Sequence, residues 1–120
     1  MSEVNVNWFE IPVLNTARAA EFYATVLGTP LDTIDGPDGP MQVFAGSDGP
    51  AGALWPVDTP PAHGGVMVYL GCDDIDAALD RAVGAGGAIE SARASIGPFG
   101  FIGRFRDTEG NVVALHSPAG

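Results

Sequence analysis

Basic residues are scarce in this chain: five Lys and Arg stand against 15 Asp and Glu in 120 residues, for a formal net charge of −10. Nucleic acid is excluded as a partner, because phosphate contacts need clustered positive charge. Most of the acids fall in loops or on exposed helix faces, where they serve solubility; acids lining a groove would instead favour a cationic small molecule. Cys72 is the single cysteine, so no intramolecular disulfide can form. No apolar stretch is long enough to cross a bilayer, and the first residues lack a basic start followed by an apolar run. A cytoplasmic protein with no membrane partner is the expectation. No GxGxxG leads from a strand into a helix, and neither a P-loop nor a GxSxG elbow is present. The serines come with no plausible His and Asp arrangement, and "GAGG" fits helix termination better than phosphate binding.

What is there is a pattern written twice. The apolar strand "WFEIPV" runs into "NTARAAEFYATVLG", and "VMVYLGC" runs into "DDIDAALDRAVGAGG". Ala19, Phe22, Tyr23, Val26 and Leu27 recur at helical spacing, and Ile75, Ala78, Leu79, Ala82 and Val83 repeat it. Each set predicts one apolar stripe laid against a sheet. Asn15 or Thr16 can cap the first helix and Gly28 can stop it; Asp73 or Asp74 can cap the second, with Gly84 to Gly87 ending it. Strand candidates follow at about 30–35, 41–46 and 51–55, then at about 88–93, 99–106 and 111–117, divided by turns such as "DGPDGP", "GSDGP" and "DTEGN". The 17 Gly and 10 Pro lie mostly in those turns. Residues 56–65, "PVDTPPAHGG", are Pro-rich and without periodicity, which suits a semi-rigid linker. A single 1–120 domain is expected, with one module over about 4–55 and a second over about 66–117. One such half is too small to bury its own sheet face, so the halves must share something.

The segments "IPVLNTARAAEFYATVLG" and "GFIGRFRDTEGNVVALHS" resemble the vicinal oxygen chelate superfamily, which includes glyoxalase I, extradiol dioxygenases, and fosfomycin- and bleomycin-resistance proteins. The resemblance covers nearly the whole chain. Its most specific parts are Arg18 with "EFYATVLG" and the turn Asp107-Thr108-Glu109-Gly110-Asn111. It implies an α+β fold of two βαβββ modules whose curled mixed sheets surround a cavity. Chains of this length resemble members that form homodimers, often with subunits contributing to each other's sites. Such a fold hosts several chemistries and does not choose among them.

Metal-dependent members of that group carry His, Gln or Glu at four inward positions, one on the first and last strand of each module. The matching positions here are Trp8, one within 52–54, Met67 (give or take one residue) and Ala114. None offers a ligand suited to an octahedral divalent ion. A slip of one residue brings in Phe9, Val66, Val68, Val113 or Leu115, which are no better. No metal and no other cofactor is therefore expected.

Strand alternation picks out the inward side chains. Val66, Val68, Leu70 and Cys72 share the helix side, leaving Met67, Tyr69 and Gly71 inward. Phe9, Ile11 and Val13 take the helix side, leaving Val6, Trp8, Glu10 and Pro12. Val113 and Leu115 pack, so Val112, Ala114 and His116 point in. The result is an apolar, aromatic pocket with a few polar groups, suited to a small molecule. Glu10 among Trp8, Met67 and Tyr69 loses solvation, so its pKa should rise unless a partner is near. It can accept a proton or bind a cation; equally, it can bond a backbone amide or Tyr69 at a dimer seam. His116 can pair with Glu10 or act as an acid, or be a partly exposed surface group; His63, in the linker, has less claim. Trp8 and Trp55 can stack on a planar or cationic ligand or fill the core. In "GPFGFIGRF", Phe99, Phe101 and Phe105 fall on one side and Ile102 and Arg104 on the other, and the glycines suit a close approach or a lid. Arg104 can hold an anion or a neighbouring acid. Cys72 reads as inert packing.

Three functions stand open. The first is a metal-independent binding protein of the bleomycin-resistance type, holding a hydrophobic or cationic small molecule in an aromatic-lined dimeric cavity. Its candidate ligand-binding residues are Trp8, Glu10, Trp55, Met67, Tyr69, Phe99, Phe101, Arg104 and His116. The second is a metal-free lyase or isomerase that uses Glu10 and His116 for proton transfer beside a carbonyl. The third, a metal-dependent lyase or dioxygenase, is disfavoured by the four empty positions.

Overall fold

The computed structural model describes residues 4–60 and 65–118. The chain divides into two compact units, one over Trp8–Val66 and the other combining the residues up to Asn7 with those from Met67 onward. The first unit holds β1 (Val6–Val13, from Trp8), α1 (Thr16–Leu27), β2 (Asp32–Gly36), β3 (Gly39–Gly46) and β4 (Gly49–Pro56). Its strands lie in the order β2-β3-β4-β1, with β1 parallel to β4 and the other pairs antiparallel. The second unit holds β5 (Met67–Gly71), α2 (Ile75–Gly84), β6 (Ala88–Ser95), β7 (Phe101–Arg106) and β8 (Val112–Ser117). Its order is β5-β8-β7-β6, with β5 parallel to β8. Each unit is thus a βαβββ arrangement with a mixed sheet, and the α+β fold expected from the repeated pattern is present twice.

The helix ends follow from their capping residues. Asn15 Oδ1 accepts from the Arg18 amide at 2.9 Å, and Gly28, at φ 75°, ends α1 in a left-handed conformation that only glycine adopts cheaply. Asp74 Oδ1 accepts from the Ala77 amide at 3.0 Å, and Asp76 adds its carboxylate to the first turn of α2.

The two apolar stripes meet different fates. Ile75 and Leu79 of α2 are buried with Leu115, and Leu70, Cys72, Ala78, Phe101 and Phe105 pack around them. Gly103 is forced by this packing: a Cβ there would stand 2.8 Å from Ile75 Cγ2. The stripe of α1 divides. Tyr23 turns its ring edge onto Phe44 at 5.5 Å between centroids, and Phe44 lies 5.3 Å from Phe9. Phe22 and Val26, however, are 60% and 62% exposed, and no residue of α1 is fully buried. Spacing predicts which residues share a face, but the width of the covering sheet decides how many of them are covered. In the first unit Leu54 and Val13 are buried on the helix side of the sheet, and Val43 and Ala53 on the opposite face. A Cβ on Gly52 would stand 2.6 Å from the Phe9 carbonyl oxygen and 2.7 Å from its ring, so only glycine lets that ring lie on β4.

Two local features depart from expectation or sharpen it. Residues 97–99 form a short 3-10 turn, not the start of a strand, and β7 begins at Phe101. Gly97 at φ 70° and Gly100 at φ 104° break the extended run, and a Cβ on Gly100 would meet the Ser117 carbonyl oxygen at 2.5 Å. The Asp107–Asn111 turn is closed by its own side chains. Asp107 Oδ1 accepts from the amides of Glu109 and Asn111, each at 2.8 Å, and Asp107 Oδ2 accepts from Asn111 Nδ2 at 2.9 Å. Those bonds, the Asn111 side chain first, hold the Asp107 carboxyl below its ordinary value. Cys72 shifts the other way: burial pushes its thiol up, so it stays protonated and packs as a small apolar group.

Two outcomes are expected. Leu79→Ala should cost about 2–5 kcal/mol in urea denaturation, whereas Val83→Ala, one turn further along the same stripe but 50% exposed, should change stability by less than about 0.5 kcal/mol. Equal losses would contradict the assignment of the core. For Asp107, a carboxyl depressed in the folded state adds stability above its ordinary value of 3.8, and that stability disappears as pH falls through the folded value. Asp107→Asn should therefore lower the urea midpoint at pH 6, and the gap should narrow progressively as pH falls below 3.8. A gap independent of pH would sink this explanation.

Candidate functional site

In each unit the helix takes one face of the sheet, so chemistry must be sought on the other. In the first unit, Phe9 marks the helix side by its contact with Phe44 and Gly52. Trp8, Glu10 and Pro12 therefore point away from α1, as alternation requires. Cross-strand register puts Glu10 beside Ala53 and Ala53 beside Val43, and these three are buried together. Pro12 stands beside Trp55, whose ring is partly exposed. A carboxylate on so apolar a face needs donors. The Trp8 indole supplies one, Nε1–H donating to Glu10 Oε2 at 3.2 Å. One partner is thus the neighbouring indole, which the residue spacing of two already placed on the same face.

In the second unit, Gly103 marks the helix side, so Ile102, Arg104 and Arg106 face away from α2. The rows across β5, β8 and β7 can be read from the register. Tyr69, Ala114 and Arg104 form one row, and Gly71, His116 and Ile102 the next. Met67 shares the Tyr69 side of β5. Phe101 does not belong to this face. It lies on the helix side in the Ile75–Leu79–Leu115 cluster, where the Arg93 guanidinium sits 5.4 Å from its ring centroid. Phe99 sits in the 3-10 turn with its ring largely exposed, and its backbone matters more than its ring.

That backbone holds His116. The Phe99 carbonyl oxygen lies 2.6 Å from His116 Nε2 and can only accept, so Nε2 carries the proton. Nδ1 is then an acceptor, matched by Asn7 Nδ2–H at 3.2 Å. Both ring nitrogens are engaged, in a bridge that ties the strand end to the turn at residues 97–99. Asn7 had no signal in the sequence, since it stands 109 residues from the imidazole it bonds. His63 lies outside the described residues.

The arginines divide sharply. Arg106 Nη2 pairs with Glu90 at 3.0 Å, and Arg93 Nε pairs with Asp76 at 3.2 Å. Arg104 is half-buried, and its Nε is buried with no acceptor. A separate groove of about 450 Å³ lies on the helix side of the first unit, lined by Ile11, Leu14, Arg18, Phe22, Tyr23 and Val57 among others.

The residues at the four inward positions do not fit a divalent ion. Trp8 is a donor through its only nitrogen, Ala53 and Ala114 have no polar side-chain atom, and the Met67 thioether is too soft for such a site. His116 has no free ring nitrogen to offer. Among the described residues, no three of His, Cys, Asp and Glu converge on a point where they could share an ion.

Residues 5–115 match the family model described as the glyoxalase/bleomycin resistance protein/dioxygenase superfamily. Solved structures give the same fold. A hypothetical protein, BH1468 from Bacillus halodurans C-125, is similar with a TM-score of 0.71 at 11% identity, over 97% of this chain and 95% of that one. A glyoxalase/bleomycin resistance protein/dioxygenase superfamily member from Vibrio splendidus 12B01 gives 0.64 at 17% identity, over 96% and 97%. Methylmalonyl-CoA epimerase from Mycobacterium tuberculosis gives 0.63 at 19% identity, over 95% and 87%. No curated protein matches the chain. With the family model spanning nearly the whole sequence and two βαβββ units in the structure, the chain belongs to the glyoxalase/bleomycin resistance protein/dioxygenase superfamily.

Proposed function

We propose that this chain is a metal-independent, cytoplasmic small-molecule-binding protein that acts as a homodimer. The observation that carries the reading is the Trp8–Glu10 hydrogen bond on a buried apolar face. It orients an indole and a carboxylate side by side where a metal-dependent relative would place a ligand. An aromatic ring fixed by a carboxylate suits a ligand with an apolar body and a polar or cationic group. Trp55, beside Pro12, extends that aromatic surface. The alternative, proton transfer by Glu10 and His116 in a lyase or isomerase, has less support, because His116 is spent on Asn7 and Phe99. The methylmalonyl-CoA epimerases among the similar structures are at most 19% identical and support the fold alone.

Charge and exposure together support a dimer. Two chains of net charge −10 repel except where acids are few. The helix α1 carries one Arg and one Glu, so it is neutral, and it leaves Phe22, Val26 and Leu27 uncovered. A second copy seated on that face would remove them from water, at roughly 1.5–3 kcal/mol for each large side chain fully covered.

Two measurements test this reading. Tryptophan fluorescence should report saturable binding from a panel of aromatic ammonium compounds. Trp8→Ala should weaken that binding about 5- to 30-fold, the equivalent of about 1–2 kcal/mol. Excess EDTA should leave the affinity unchanged; loss of binding on chelation would contradict the proposal. In sedimentation velocity at tens of micromolar, the wild type should run as a dimer, and the double substitution Phe22→Glu with Val26→Glu as a folded monomer. A wild-type monomer would remove the dimer from the account.

A further inference from the structure

We infer that the Arg104 face of the second unit is a binding site for a small-molecule carboxylate. The inference goes beyond the binding function proposed above, which concerns the first unit. It starts from an imbalance. The chain's basic residues are all arginines, five against 15 acids. Any arginine in such a chain has an excess of carboxylates to choose from. Arg93 and Arg106, on the same sheet, each have one. Arg104 stands between them in sequence, is half-buried, and has no acid partner among the described residues. Its Nε is buried without an acceptor.

That arrangement is costly as it stands. A buried donor left unpaired loses about 1–3 kcal/mol, and more when it belongs to a charged group. Arg104 is nonetheless placed with care. Its row across the sheet is Tyr69, Ala114, Arg104, with the smallest side chain in the middle. Strands about 4.8 Å apart set the outer two Cα atoms roughly 10 Å from each other, so only an alanine methyl lies between a phenol and a guanidinium. The neighbouring row adds Ile102 and His116, whose Nε2 is bonded to the Phe99 carbonyl oxygen. No carboxylate side chain of β5, β7 or β8 shares this face. Apart from Arg104, Arg106, Tyr69 and His116, the side chains that β5, β7 and β8 place on this face are apolar.

The chemistry that completes this site is a single planar anion. A guanidinium presents parallel N–H donors in a fork that matches a carboxylate, and side-on approach gives Nε the acceptor it lacks. A phosphate dianion would call for more donors than one arginine provides. The apolar neighbours Ile102, Ala114 and Met67 suit the carbon body of the acid and not a free inorganic ion.

Five arginines make the test direct, because the Nε–H resonances of the ¹⁵N-labelled protein number no more than five. Sodium benzoate is titrated into the folded protein, with benzamide as the neutral isostere and sodium phosphate as the competing anion. Benzoate should move the Arg104 Nε–H resonance saturably, with the other arginines little changed; benzamide and phosphate should not. Arg104→Lys keeps the charge but loses the fork, and should weaken benzoate at least fivefold. Arg104→Gln should abolish saturation, while Arg93→Lys should leave it intact; circular dichroism verifies that each variant is folded. Equal response to benzamide, selective response to phosphate, or benzoate binding unchanged in Arg104→Lys would each overturn the inference. Failure here with retained binding of ammonium compounds at Trp8 would leave the proposed function standing. Loss of both would remove that function as well.

Discussion

Everything about the candidate site depends on one constraint: a sheet covered by a helix on one side has only its other side left for chemistry. In the second unit α2 seals its side with Ile75, Leu79 and Leu115. In the first, Phe9, Phe44 and Tyr23 mark the side taken by α1. Because strand side chains alternate strictly, fixing one face fixes the other. Trp8 and Glu10 are turned away from Phe9, and Arg104 is turned away from Gly103. The polar groups that could recognise a ligand are therefore the by-product of how each core is packed.

The same constraint explains what was legible in the sequence. Strand and helix positions, the Asn15 and Asp74 caps and the inward set Trp8, Glu10, Tyr69, Ala114 and His116 all follow from period, capping chemistry and alternation. What those rules do not carry is reach and partner. Whether the stripe of α1 is covered depends on the sheet beneath it, and Phe22 and Val26 lie beyond its reach. The 3-10 turn at residues 97–99 depends on Gly100 meeting the Ser117 carbonyl, a contact between distant parts of the chain. Phe101 illustrates the limit well: alternation puts it opposite Arg104, so grouping both as ligand-binding residues joined two faces of one strand.

Partners across long sequence separations were hidden for the same reason. Asn7 and Phe99 hold the His116 ring, and neither could be paired with it from spacing. Those bonds change the meaning of the residue. An inward histidine reads as an acid or base in the sequence; with both nitrogens committed, it is a brace for the end of β8. Glu10 shifts less, since its indole donor sits only two residues away.

The central claim is recognition without a metal, and titration calorimetry on chelator-treated, dialysed protein tests it most directly. Injecting Ni²⁺, Mn²⁺ or Zn²⁺ should give no saturable heat at micromolar concentrations. One equivalent binding with micromolar affinity, and lost in Glu10→Gln, would contradict the account.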